Sequence, residues 1–313
     1  MLRYVIKRVL LVIPTLLLVI FVVFATINLS PTNPAQIMLG ADATPEQVEA
    51  LETQLGLNKP LLERYVTYVV NILKGDFGNS WFTGTPVFDE LFAKLPYTFN
   101  LTIIGMAFAI AIGLPLGILC AIKQYSMFDR TVNVVVLIMA AMPNFVVGIG
   151  LMVLFGLVLK VPGLPISGFG SWKNYILPIL TSLLVGCVGS IRMGRTMMIQ
   201  TLKMDYIRTA KAKGANKRQI IMKHALRNAM FPLITQYGMS FAMALGGSVI
   251  SEQLFGIPGI GAAILTAVSQ KDVPMIMAST LFLSTIYCLA IILIDIINAS
   301  LDPRIKAQLI AKG

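Results

Sequence analysis

Residues 98–122 read TFNLTIIGMAFAIAIGLPLGILCAI, and none of these 25 positions carries a charge. A helix needs about 20 mostly apolar residues to cross the hydrocarbon core of a bilayer. The run therefore predicts a membrane-spanning helix. Five further runs repeat the pattern, at 9–29, 131–159, 175–191, about 229–250 and about 277–299. The run at 175–191 is the shortest. Across all 313 residues 57% are hydrophobic and 12% are charged, half the roughly 25% of a soluble domain. We expect an all-α membrane protein with six transmembrane helices, built as one membrane domain over residues 1–313 and without internal repeats.

The first run follows Arg3, Lys7 and Arg8. Its 21 residues exceed the apolar core of a signal peptide, about 7–15 residues, so it reads as a retained span that tolerates Pro14.

The net charge of +11 fits either a nucleic-acid binder or a membrane protein oriented by basic loops. The distribution decides. With the N-terminus in the cytoplasm, 18 of the 25 Lys and Arg residues fall on the inside, ten of them between Arg192 and Arg227. Setting aside the long 30–96 segment, the outside keeps only Lys160, Lys173 and Lys271. This bias gives an N-in, C-in topology, and no nucleic-acid-binding motif accompanies it.

The 30–96 segment carries eight acids, from Asp42 to Glu90, against four bases. Thr44 can cap a helix, Pro45 fits its first turn, and Gly56 can end it. A second helix is expected from Leu61 to Lys74, ending at Gly75. The segment reads as a small extracytoplasmic helical cap, either a lid on the bundle or a dock for an external partner.

Residues for chemistry are missing. There is no G-x-x-x-x-G-K-[ST] phosphate loop and no G-x-S-x-G elbow. The run Gly256-Ile257-Pro258-Gly259-Ile260-Gly261 lacks the strand context of a dinucleotide fingerprint and reads as a tight turn or re-entrant bend at the outer face. Cys120, Cys187 and Cys288 sit apart in apolar runs, and His224 is the only histidine. The chain is expected to be no enzyme and to hold no metal or cofactor. Asp295 is the clear intramembrane acid. It reads as an ion site or, being seven residues before Asp302, as a residue near the cytoplasmic interface.

Residues 204–228 read MDYIRTAKAKGANKRQIIMKHALRN. Gly214 is a helix stop and Ala215-Asn216 a restart, so two helices are expected. The segment fits a basic amphipathic element lying on anionic lipid and equally a surface that inserts into a cytosolic partner.

This segment resembles the coupling loop, or EAA loop, of ABC importer permeases. Arg208-Thr209-Ala210 stands where that pattern has Glu-Ala-Ala, and Gly214 follows after three residues. The departures are those of the dipeptide, oligopeptide and nickel branch. Similar too are the opening MLRYVIKR, residues 73–80 (LKGDFGNS), residues 252–261 (EQLFGIPGIG) and the ending LDPR at 301–304. The long first outer loop resembles the B-type permease of that branch.

The resemblance implies a pore subunit of a binding-protein-dependent importer in the cell inner membrane. Its partners would be a paralogous permease, two cytosolic ATP-binding subunits that hold ATP and magnesium, an extracytoplasmic substrate-binding protein and the lipid bilayer. The cytoplasmic coupling segment would be 192–228, with Asp205, Tyr206, Arg208, Thr209, Ala210, Lys213, Gly214, Ala215 and Asn216 meeting the ATPase. Asn100, Asn144, Gln236 and Ser240 are candidate pathway residues. Di- or oligopeptides are the first expected cargo, and nickel or a metal–chelator complex the alternative. A self-sufficient secondary transporter using Asp295, or a lipid-bound scaffold, are the rivals from other classes.

Overall fold

The computed structural model describes residues 2–29, 33–40 and 42–301. The 301–304 ending therefore lies, beyond Leu301, outside the described residues. Among these residues the elements are helices α1 (Leu2–Asn28), α2 (Pro34–Leu39), α3 (Pro45–Leu55), α4 (Leu61–Leu73), α5 (Val87–Ile122), α6 (Met127–Ala141), α7 (Asn144–Met152), α8 (Ile176–Leu202), α9 (Asp205–Ala212), α10 (Lys217–Gln219), α11 (Arg227–Gly247), α12 (Val249–Phe255), α13 (Ile260–Gln270) and α14 (Val273–Leu301). An all-helical build is what lipid demands, because every backbone N–H and C=O must be paired within its own segment.

Four helices are long and apolar enough to span without a break, or six spans result if each of two bent pairs counts as one. The run at 131–159 was expected as one helix. It is α6 and α7, meeting at 97°. Pro143 is the reason: a residue before proline is pushed out of the helical region, and Met142 is extended at φ −89°, ψ 127°. The run at 229–250 divides likewise, with α11 giving way to α12 at Ser248. The short run at 175–191 belongs to a longer helix than expected. α8 continues through Arg192 and Arg195 to Leu202.

The frame is the parallel pair α5 and α8. Gly105, Ala109, Gly113 and Gly117 recur every fourth residue, facing Ser182, Gly186, Ser190 and Gly194 at the same interval. Small residues in this register let backbones approach closely, which is how helices pack in lipid. A Cβ at Gly117 would lie 2.5 Å from the Ile191 carbonyl. Because the register increases in the same direction on both helices, the intervening α6–α7 pair must return the chain to the side on which α5 began.

α1 and α14 run antiparallel. Phe24 and Ile20 pack on Val273, Met277 and Leu281, and at the other ends Arg8 meets Asp295 at 3.2 Å. The Arg8 end of α1 and the Asp295 end of α14 thus share one side. Asp295 is an ion-pair partner of Arg8, at the end of α14 away from Val273.

In the 30–96 insertion, Thr44 and Gln47 form a reciprocal capping box on α3, and Gly56 ends it in the left-handed region at φ 67°. Asn33 hydrogen-bonds Glu52, tying α2 to α3. The insertion is fixed to the far end of the chain by Asp272, which is buried, accepts from Ser80 Oγ and also caps α14 through the Met275 N–H at 3.2 Å.

Candidate functional site: a polar groove and a basic helix

α5, α7, α8, α11 and α12 enclose a cavity of about 650 Å³. Its wall on α8 runs from Thr181 to Thr196, which is about 22 Å at 1.5 Å per residue, most of the hydrocarbon thickness. Hydroxyls and amides line it at every level: Ser248 and Ser251 at one end, Thr102, Asn144, Thr181 and Ser182 beyond them, then Ser240, Gln236, Ser190 and Thr196. Among the described lining residues there is no Asp, Glu, His or Cys, and Arg192 is the one charged side chain. Thr102 Oγ1 is buried there without a hydrogen-bond partner, and the Tyr237 phenol lies against Ser190. Such a groove offers a solute neutral donors and acceptors plus one cation.

Three of the four pathway candidates, Asn144, Gln236 and Ser240, line this cavity. Asn100 does not. It is exposed on the face of α5 opposite the inward-facing Thr98, Leu101 and Thr102. Two positions along a helix turn a side chain by about 200°, so Asn100 and Thr102 cannot share a lining.

At one mouth of the cavity lies Glu252, fully buried. Its Oε1 accepts from Thr98 Oγ1 at 2.7 Å and Ser248 Oγ at 2.6 Å, and Oε2 accepts from the Ala262 N–H at 3.0 Å. Thr98 in turn accepts from the Ile260 N–H at 2.9 Å. The carboxylate therefore caps the start of α13, where the helix dipole favours negative charge. Gly259 and Gly261 leave room for it, since a Cβ on either would fall within 3.0 Å of the carboxylate. The turn expected at 256–261 is present, with Gly256 in the left-handed region at φ 66°. Sequence reading passed over Glu252. Its signal was a lone acid between an apolar run and a glycine-marked helix restart. Glu252→Gln should destabilise the fold by about 1–3 kcal/mol, because the amide offers one acceptor oxygen where the carboxylate offers two to the Thr98 and Ser248 hydroxyls and the Ala262 N–H. Thermal unfolding in detergent would show this as a lowered midpoint.

A second buried acid, Asp129, sits at the other side of the bundle. It receives a two-pronged hydrogen bond from Arg195, at 2.7 and 2.8 Å, with further donors from the Tyr125 N–H and Asn133. This pair joins the start of α6 to α8 and accounts for a charged residue within the long α8. By contrast, Arg192, three residues earlier, has no ion-pair partner among the described residues and is exposed to the cavity.

Just beyond α8, α9 forms over residues 205–212 as the sequence predicts. Ile207 is buried in a cluster with Met198, Ala225 and Ala229, and Ala210 is buried too. Ala210 had been expected among the residues meeting a partner; it faces the chain's own bundle, so close approach there serves internal packing. Asp205, Tyr206, Arg208, Thr209, Lys213, Gly214 and Asn216 are exposed, and Ala215 is half-buried. Partial burial pushes the Tyr206 phenol up, opposed by a hydrogen bond with Thr201. Gly214 holds φ 82°, and Asn216 with Gln219 builds a capping box that starts the next helical stretch. That stretch runs through a wide turn, Ile220–Leu226, straight into α11. The exposed face of this element carries Arg208, Lys211, Lys213, Lys217 and Arg218 with Asp205 the only acid.

A bundle of close-packed spans around a polar-lined cavity, with a basic helix–turn–helix at one end, fits the pore-forming permease class of the ABC importers. The comparisons agree. Residues 113–307 match the family described as "Binding-protein-dependent transport system inner membrane component", and residues 1–102 match the N-terminal part of such membrane components. The chain belongs to this family of bacterial multi-pass inner-membrane permeases, which are not themselves enzymes. It is 36% identical over 306 residues to the glutathione transport system permease protein GsiC of Escherichia coli (strain K12), covering 98% of this chain and 99% of that one. The Salmonella typhi protein of the same name is 37% identical over 308 residues, at the same coverage. Among solved structures, a chain of the inward-facing MetNI methionine ABC transporter superposes with a TM-score of 0.57 at 19% identity, covering 69% of this chain and 98% of that chain. An amino acid ABC transporter gives 0.55 at 12% identity, covering 68% and 94%. These two likenesses concern the fold.

Proposed function

We propose that this chain is one of two pore subunits of an ATP-driven importer whose cargo is a small peptide or peptide-like acid. The observation that carries the cargo is the cavity lining: amides and hydroxyls along its length, one unpaired guanidinium at Arg192, and none of the side chains that hold metal ions. An arginine fork suits a carboxylate, and the neutral groups suit peptide amides. The cavity volume lies within the roughly 300–1,000 Å³ of small-molecule sites. A nickel ion would find no His, Cys, Asp or Glu among the described lining residues, although a negatively charged metal–chelator complex would suit Arg192. The relatives named for glutathione transport support the peptide reading, since glutathione is a tripeptide with two carboxylates.

In this reading a related permease completes the pore, and two cytosolic ATPases hold ATP and magnesium. The 30–96 insertion helps receive a substrate-binding protein on the outside, with both chain ends in the cytoplasm. The coupling element within 192–228 is the lever: Asp205, Tyr206, Arg208, Thr209 and Lys213 meet the ATPase, Gly214 sets the turn, and Ala215 and Asn216 start the helix that leads into α11. ATPase closure would push α9, and the push would be transmitted because Ile207 and Ala210 are packed into the bundle. Such coupling requires that α9 bind the two ATPase states with different affinity. Asn144, Gln236 and Ser240 line the path, and Asn100 is dropped from it.

The test is gentle purification of the tagged chain from its own cells, with mass spectrometry of what co-elutes, followed by uptake assays on the reconstituted complex. Two ATP-binding subunits and a similar permease, with uptake of glutathione or a dipeptide but not of free nickel, would support the proposal. A lone chain under crosslinking would overturn it in favour of a self-sufficient transporter. Arg192→Glu should lower uptake of the acidic peptide by at least about tenfold, since like charges set side by side cost several kcal/mol, with basal ATPase activity unchanged. Equal uptake by that variant would remove Arg192 from the path.

A further inference from the structure

We infer that α4 lies in the membrane interface, with one edge covered by lipid acyl chains rather than by a protein partner. The inference rests on how α4 divides into three faces and on how deep it touches α1.

One face packs on the bundle. Tyr65 and Tyr68, with Leu61 and Ile72, join the cluster built on Ile20, Phe24, Met277 and Leu281. The second face is apolar yet exposed. Leu62, Val66, Val70 and Leu73 are all uncovered, Leu73 to 82%, and at 100° per residue they fall within one arc of about 80°. The third face is polar: Glu63 and Thr67, with Lys74 just past the helix end, occupy the next arc and are also exposed. Protein, apolar edge, polar edge is the order that a helix lying in an interface needs. A helix standing wholly in water would have its exposed arc polar throughout.

Depth gives the second argument. Tyr65 stacks edge-on against Phe21 at 5.2 Å and contacts Phe24 at 5.7 Å. These rings lie four and seven residues inside the Asn28 end of α1, or about 6–10 Å at 1.5 Å per residue. That matches the roughly 5–10 Å to which interfacial helices sink. The Tyr65 hydroxyl reaches further and donates to the Leu17 carbonyl at 2.8 Å, near the middle of the span. Beside the Tyr65 contact, the adjoining arc of α1 exposes Leu18 and Val22, so the apolar edge of α4 continues the lipid-facing surface of a membrane-spanning helix. Arg64 lays its guanidinium over the Phe24 ring at 5.6 Å and donates to the Leu57 carbonyl.

The consequence narrows the docking surface proposed above. If α4 is sunk into lipid, then α2, α3 and the 77–86 turn are the parts of the insertion left for a binding protein.

Single cysteines at Val66 and Val70, and at Glu63 and Thr67, would be placed in a chain whose Cys120, Cys187 and Cys288 are replaced by alanine. Each would carry a bimane label in the full transporter, reconstituted in phosphatidylethanolamine–phosphatidylglycerol vesicles. Phospholipid brominated on its acyl chains should quench Val66 and Val70 at least about twofold more than Glu63 and Thr67. Aqueous iodide should show the opposite order, and adding the binding protein should change neither at Val66 and Val70. Iodide quenching of all four positions would overturn the inference by placing α4 in water. Shielding of Val66 and Val70 from both quenchers would overturn it by placing a protein on that edge.

Discussion

Gly214→Pro is expected to abolish ATP-driven uptake while membrane insertion and assembly with the partner subunits remain. Gly214 sits at φ 82°, whereas proline is held near −65°. Its N–H donates to the Lys211 carbonyl at 3.0 Å, and proline has none to give. The turn that closes α9, with the Ala215 N–H on the Ala210 carbonyl at 3.1 Å, must then open. The change is confined to the connection between α9 and the stretch leading into α11, so the spans themselves stay packed. A graded series separates geometry from bulk. Nothing lies within 4 Å of a Cβ at Gly214, so Gly214→Ala meets only the left-handed cost of about 1–2 kcal/mol. Gly214→Asn meets less, since asparagine visits that region more readily. Uptake in reconstituted vesicles should fall in the order glycine, asparagine, alanine, proline, with proline at background. Parent-level uptake by the proline variant would sink the lever reading of α9.

Asp129→Ala is expected to be the most destabilising single substitution discussed for this chain, at about 3–5 kcal/mol, the usual range for breaking a buried ion pair by removing one partner. Asp129 is buried and takes both prongs of Arg195. Its loss strands a guanidinium within α8, and leaves the Tyr125 N–H and Asn133 without their acceptor. Removing both charges is a different matter. Replacing a buried ion pair by apolar residues of similar volume is often neutral or stabilising, so Asp129→Leu combined with Arg195→Met should recover most of the loss. Thermal unfolding in detergent, followed by size-exclusion chromatography, would read both. A single-variant effect within the roughly 0.5 kcal/mol of ordinary surface changes would mean that the pair does not hold α6 to α8.

Hydrophobicity and local backbone chemistry settle a great deal before any fold exists. Each apolar run becomes helix because lipid leaves the backbone no other way to pair its polar groups. Thr44, Gly56, Gly214 and Asn216 do as the sequence predicts because a cap or a left-handed stop is decided within four residues. The break at Pro143 was equally local, and an apolar run read only for length concealed it.

What the sequence by itself could not determine is which residues meet across long separations. Glu252 and Thr98 lie 154 positions apart, and Arg195 and Asp129 lie 66 apart. Either acid read alone in an apolar context is only an expense. Its partner is supplied when α12 packs against α5 and α6 against α8, on the frame that Gly105, Gly113, Ser182 and Ser190 lock. That same packing fixes the rotation of each helix, and rotation decides that Thr102 faces the cavity while Asn100 faces away. It also turns Ala210 inward from a sequence position that predicts a docking surface. The run of residues thus set what kind of protein this is. The close fit of parallel helices, which depends on small residues distant in sequence, decided where its polar cavity lies.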